Sequence, residues 1–398
     1  MNIQEAKEEI IRTVRSYTAR NADGTYIIPS IRQRPMLLIG PPGIGKTAIM
    51  EQAAQTCGVG LVAYTITHHT RQSAIGLPVI REKEYGGRKY SVTEYTMSEI
   101  IASVYDCMER TGLREGILFI DEINCVSETL APAMLEFLQN KTFGVHKVPE
   151  GWIIAAAGNP PGYNKSVREF DVVTLDRVRV LHVEQDLDVW LSYAAQHRIH
   201  PIIMAYLQIR KNDFYRIEDS LDGPSFVTAR GWEDLSVMLR SYEMQGYPVD
   251  AAFIQEFLQH GRTASDFEAY YKLYARYKDD YQISRILNGT AAREDAGTAA
   301  EDILLKRASR APYEERITLI NLLADALVQG GKEQAETWLE NIMDFLQAAY
   351  GQGNEAAMFL RAASLYPETV RLILSSDRCR SVLKKAYHMT IKQEYAGI

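Results

Sequence analysis

A chain of 398 residues, 46% of them hydrophobic, has room for two or three domains with filled cores. Its net charge of −7 argues against a general nucleic-acid binder, whose affinity would rest on a basic surface. No apolar run approaches the roughly 20 residues of a membrane span, Met1 to Glu9 lack the features of a signal peptide, and four scattered cysteines lack metal-ligand or redox spacing, so a cytoplasmic protein is expected.

Ile3, Ala6, Ile10, Ile11, Val14 and Tyr17 recur at helical spacing, which predicts an amphipathic first helix that ends at Asn21-Ala22-Asp23-Gly24. The apolar run Met36-Leu37-Leu38-Ile39 then meets Gly40-Pro41-Pro42-Gly43-Ile44-Gly45-Lys46-Thr47 and opens onto the helical Ala48 to Ala54. That is the strand, glycine loop and helix of a phosphate-binding P-loop: glycines let backbone N–H groups turn inward, and the helix adds the positive end of its dipole. Lys46 is placed to reach the outer phosphates and the Thr47 hydroxyl to hold Mg²⁺.

Leu61 to Ile66 reads as a second buried strand, followed by a polar loop with His68, His69, Arg71 and Gln72. Residues 79–92 form two charged, extended arms around Gly86-Gly87 and predict a protruding hairpin of unassigned role, either a partner contact or a solvated decoration. Ser98 caps a helix that stops at Gly112. Gly116-Ile117-Leu118-Phe119-Ile120 then runs into Asp121-Glu122, a buried parallel strand whose C-terminal end is acidic. Beside a P-loop, Asp121 would hold the metal through its water shell and Glu122 would polarise the attacking water.

A helix over Glu128 to Gln139 and a short turn or hairpin over residues 142–147 lead to the apolar strand Trp152 to Ala157, which ends in Gly158-Asn159-Pro160-Pro161. A polar amide at that end can orient water or touch the terminal phosphate. Arg177 precedes what reads as the last strand, where it could reach out of its own subunit, whereas Arg179 lies within that strand and reads as structural. From about Asp186 the pattern is helical: Asp188 to Ala195, Pro201 to Arg210, and a helix entered through Ser225 to Trp232 with Thr228 or a neighbour as cap. Beyond residue 261 only helix-like segments occur, without a repeat or a catalytic motif.

Gly40 to Thr47 (Walker A), Phe119 to Asn124 (Walker B), Ala157 to Pro161 (sensor 1), Leu175-Asp176-Arg177 (the arginine-finger position) and Val227 to Arg230 (sensor 2) together resemble the AAA+ ATPases, most closely the MoxR-like branch, over residues 30 to 240 or so. Val178 stands where that family usually has Phe, and Thr228-Ala229-Arg230 where sensor 2 often reads Ser-Pro-Arg. The resemblance implies an α/β fold, a three-layer P-loop NTPase domain with a parallel sheet over residues 1–185, a helical lid over 186–260 and an all-α extension over 261–398.

It implies Mg²⁺-dependent ATP hydrolysis, with nucleotide held by residues 40–48 (Gly40, Pro41, Pro42, Gly43, Ile44, Gly45, Lys46, Thr47 and Ala48) and metal by Thr47 and Asp121. Lys46, Glu122, Asn159, Arg177 and Arg230 would be catalytic: Asn159 would sense the γ-phosphate, Arg230 would report nucleotide state from the lid, and Arg177 would reach the neighbouring subunit's nucleotide in a ring, usually a hexamer. Family members look like chaperones that remodel partner proteins, often with a von Willebrand factor A domain protein. The protein substrate, the ring size, the adenine contacts and the role of the C-terminal helices carry no signal. A DNA-directed motor or loader, a nucleotide-gated scaffold with little turnover and a small-molecule kinase are the competing readings; the water-activating Glu122 disfavours the last two.

Overall fold

The computed structural model describes residues 1–68, 71–143, 145–161, 163, 170–220, 223–291, 299–330, 332–351 and 353–395. The chain divides into two compact units, Met1–Asp186 and Leu187–Ile398.

In the first unit the strands, in chain order, are β1 (Met36–Ile39), β2 (Gly60–Thr65), β3 (Pro78–Tyr85), β4 (Arg88–Tyr95), β5 (Gly116–Asp121), β6 (Thr142–Phe143), β7 (His146–Lys147), β8 (Trp152–Gly158) and β9 (Arg179–His182). Five of them form a sheet of order β2-β5-β8-β1-β9 in which every pair is parallel. The three central strands are almost wholly buried, as their uninterrupted Leu, Ile, Phe and Ala content requires of a parallel sheet covered by helices. The sheet takes its Cβ-free positions where strands crowd: a side chain at Gly116 would meet the Trp152 ring 2.6 Å away.

The expected buried second strand is corrected. Among the described residues β2 occupies the sheet edge and pairs only with β5, so alternate residues such as Ala63 and Thr65 face solvent. Arg71, expected in a polar loop, opens the short helix Arg71–Ile75 instead, and His69 lies outside the described residues. The 79–92 hairpin is present as β3–β4, antiparallel from Pro78↔Tyr95 to Tyr85↔Arg88 and exposed along β3.

Helices Ile3–Thr18 and Lys46–Cys57 belong to this unit. The first begins with a capping box, Asn2 and Glu5 each satisfying the other's backbone N–H, and buries Ala6, Ile10, Thr13, Val14 and Tyr17. Arg179 ties β9 to it through Thr13 Oγ1 at 2.7 Å and Glu9 Oε1 at 2.5 Å, the structural role its strand position suggested. The helix expected from Glu128 begins at Ala131, after a turn in which Leu130 N–H bonds to Ser127 O, and ends at Asn140.

The second unit is helical, and Thr228 caps helix Ala229–Gln245 by accepting from Gly231 N–H at 3.2 Å. Residues 225–227 do not lead straight into that helix. They belong to β11 (Gly223–Val227), paired antiparallel with β10 (Arg216–Ser220). One core gathers Tyr206, Trp232, Phe267, Leu322 and Tyr366; another gathers Tyr281, Leu323, Phe345 and Phe359. Among the described residues no helix is long and apolar enough to cross a membrane.

Candidate active site

The C-terminal ends of β5, β8 and β1 lie side by side, and each delivers its polar residues to the same edge of the sheet. From β1 the chain passes into the glycine loop. Gly43 and Gly45 adopt φ of 73° and 94°, a left-handed backbone that disfavours any residue with a Cβ. Gly40 is needed for a different reason, since a Cβ there would stand 2.7 Å from Val183 O. Gly45 then caps helix Lys46–Cys57 with no side chain on the cap, which leaves the helix N-terminus as a seat for an anion.

Lys46 is buried. Its ammonium donates to Gly40 O at 2.8 Å, Pro41 O at 2.9 Å and Asn159 Oδ1 at 3.0 Å, so the tip of the side chain bridges the glycine loop to the end of β8. Next to it in sequence, Thr47 donates its hydroxyl to Asp121 Oδ2 at 2.8 Å, which bridges the same helix to the end of β5. The other Asp121 oxygen accepts the Glu122 N–H at 2.9 Å. Glu122 itself has φ 58° and ψ 34°, an unusual backbone for a non-glycine residue, and it turns the chain sharply out of β5 into the tight turn Ile123–Cys125.

That turn folds Asn124 back beneath the end of β8. Asn124 Nδ2 donates to Asn159 O at 2.8 Å and its Oδ1 accepts Asn159 N–H at 3.3 Å. Burial together with the Glu122 and Asp121 carboxylates pushes the Cys125 thiol up. The paired oxygens of Thr47 and Asp121 are hard donors of the kind Mg²⁺ takes, and they fit that ion.

Residues 35–178 match the AAA domain (dynein-related subfamily). The match implies a nucleotide-hydrolysing P-loop ATPase, and the five-stranded parallel sheet with its flanking helices is the fold such a domain has. No curated protein matches the chain.

Within the matched residues the structure brings together Lys46, Thr47, Asp121 and Asn159 along with the glycine loop, and Glu122 joins Asp121 through its backbone N–H. Arg177 stands apart from them. It follows the short helix Val172–Leu175, is exposed, and donates through Nη1 to Gln139 Oε1 rather than to any P-loop residue. Arg230 belongs to the second unit, exposed in the first turn of the helix that Thr228 caps.

Two residues carry little signal in the sequence. Asn124 follows the acidic strand end without a role of its own, and Gln139 reads only as a helix terminus. Asn124 had one legible signal: it is an amide two residues beyond a catalytic-type carboxylate, in a stretch otherwise heading into apolar Ile123 and Val126. Gln139 had none, because its meeting with Arg177 depends on tertiary placement.

Proposed function

We propose that this protein is a Mg²⁺-dependent AAA+ ATPase of MoxR-like type that couples ATP hydrolysis to remodelling of partner proteins, with each active site completed by Arg177 from a neighbouring copy in a ring. The observation that supports the reading is the double bridge of the P-loop helix, through Lys46 to Asn159 and through Thr47 to Asp121, an ammonium, a hydroxyl–carboxylate pair and an amide at one end of the sheet.

In this reading the terminal phosphates take the place of the Gly40 and Pro41 carbonyls at Lys46, while backbone N–H groups of residues 40–48 hold the remaining oxygens. Thr47 and Asp121 would hold Mg²⁺, which supplies charge neutralisation at the phosphate oxygens. Glu122 orients the attacking water, and Asn159 offers its amide to that water or to the γ-phosphate. Catalysis asks little more of the protein than positioning and charge stabilisation. Exposure of Arg177 supports its use in trans, since an exposed side chain that donates to Gln139 among the described residues can be presented to another copy. Arg230 acts from a helical lid, proposed over residues 186–260, and the all-α extension from 261 onward, the β3–β4 hairpin and a von Willebrand factor A domain protein are the proposed means of partner contact.

The test is ATP hydrolysis against protein concentration, with mass measured in parallel, for wild type, Glu122→Gln and Arg177→Ala. Turnover per chain is expected to climb as the ring assembles. Glu122→Gln is expected to lower it by about 10³-fold with ATP binding retained, and Arg177→Ala by a similar order. Activity that is independent of concentration and indifferent to Arg177 would overturn the shared site.

A further inference from the structure

Asn159 is held at three points. Its side-chain Oδ1 accepts Lys46 Nζ, its backbone N–H donates to Asn124 Oδ1, and its backbone carbonyl accepts Asn124 Nδ2. A lysine can only donate, so the bond to Lys46 fixes which end of the Asn159 amide faces it. The remaining group, Nδ2, carries no hydrogen bond among the described residues and is a donor left over at the P-loop.

The neighbouring glycine belongs to the same device. A Cβ on Gly158 would lie 2.5 Å from Asn124 Oδ1, so the last residue of β8 must be a glycine for Asn124 to reach the backbone beyond it. Asn124 is 5% exposed and both ends of its amide are used on a single residue. Asp in its place would keep the acceptor for Asn159 N–H but set a carboxylate oxygen against Asn159 O. Among side chains of this size, only an amide supplies a donor and an acceptor on two separate atoms.

We propose that Asn124 is a positioning residue: it clamps the backbone of Asn159 so that the unused Nδ2 is aimed at the terminal phosphate or the attacking water, and so couples the turn after Glu122 to the end of β8. This rests on the ATPase reading above. Because the left-handed Glu122 begins the same turn, the water-orienting carboxylate and the amide donor are set by one short segment, Glu122 to Asn124, rather than by two independent loops. The amide matters to the chemical step more than to ground-state binding, which Lys46 and the glycine loop carry without it.

The experiment measures kcat, KM, ATP affinity and the thermal midpoint for wild type, Asn124→Ala, Asn124→Asp, Gly158→Ala, Asn159→Ala and the Asn124→Ala, Asn159→Ala pair. Misplacing Asn159 is expected to lower kcat by on the order of 10²-fold in Asn124→Ala, with ATP affinity nearly unchanged. Asn124→Asp should not rescue it, Gly158→Ala should reproduce it, and the double variant should be little worse than Asn159→Ala alone. Asn124→Asp, which keeps the side chain's size and one of its two bonds, carries the test should the alanine variant fail to fold. A kcat close to wild type in Asn124→Asp, an equal loss of affinity and kcat, or effects that multiply in the double variant would overturn the clamp while leaving the ATPase reading intact. Wild-type protein that leaves ATP unhydrolysed as the ring assembles would overturn that reading and the clamp with it.

Discussion

Trp232 in the helical unit and Asn159 in the α/β unit are both polar side chains fixed by neighbouring backbone and side-chain groups, and they differ in what remains after those bonds are made. Trp232 has one N–H, and it is shared between Asp213 O and Phe214 O, each at 3.2 Å. Asp213 in turn accepts the Tyr206 hydroxyl at 2.7 Å. Arg307, Glu315, Tyr281 and Asp280 form a second set in that unit: Glu315 Oε1 accepts from Tyr281 at 2.8 Å and from Arg307 at 3.0 Å, and Arg307 reaches Asp280 at 2.9 Å. Asn159 is equally restrained, yet its restraints leave a donor over. Networks that tie helices to one another hold them in register, whereas a rigid cluster with an unused donor beside a glycine loop is arranged for something outside the chain.

The comparison predicts that substitutions in the two sets will be read by different instruments. The largest expected effect is on binding. Lys46→Met keeps the aliphatic stem and removes the charge, so ATP affinity by titration calorimetry should fall by on the order of 10²-fold while the urea midpoint of the free protein moves little. A large loss of stability instead would place Lys46 with the structural networks and break the contrast.

In the helical unit the expected effect is on stability. Arg307→Ala leaves Glu315, whose side chain is 12% exposed, with only the Tyr281 hydroxyl of those partners. Breaking a buried pair from one side costs about 3–5 kcal/mol, and because Arg307 is 33% exposed a loss of about 2–3 kcal/mol is expected in urea unfolding. Arg307→Met combined with Glu315→Leu should recover part of it, because the uncompensated carboxylate is then gone. If the double variant is no better than Arg307→Ala, the pair is not what holds these helices.

How far the sequence disclosed this contrast follows from the range of the interactions. The P-loop, the acidic end of β5 and the amide at the end of β8 were legible because each is a short run whose apolar strand, turn and polar end are contiguous. The parallel sheet could be inferred from those runs, but the edge position of β2 could not, since strand order depends on pairing with β5 across the helix and hairpin between them. The β10–β11 hairpin was missed because Ser225 to Thr228 carries helix-entry chemistry, and Thr228 does cap the helix that follows. Asn124 was visible as a residue and not as a clamp. Its function lies in two bonds to a residue 35 positions away, made possible by a missing Cβ at Gly158.

Lys141 supplies the smallest and finest test, because it is a buried cation in the α/β unit whose bonds lead away from the P-loop. It follows helix Ala131–Asn140 in a left-handed conformation and donates to Gln33 Oε1 at 3.2 Å and to Ser30 Oγ at 3.4 Å. Burial pushes its ammonium down to about 8, against about 10.4 in an unfolded chain. Below about pH 8 both states are protonated and the folded state bears the full cost of the buried charge. Between about pH 8 and 10.4 the unfolded chain binds the extra proton, so stability attributable to this group rises with pH across that window. Lys141→Met meets the same left-handed backbone without the charge and serves as the reference. Wild type is therefore expected to gain about 1–2 kcal/mol relative to Lys141→Met as urea unfolding is carried from pH 7.5 to pH 10, an allowance below the full linkage value because the ammonium retains Gln33 as a partner. A difference that stays flat over that range would mean that the ammonium is solvated in the folded state, and Lys141 would then have to be counted with the groups that face outward.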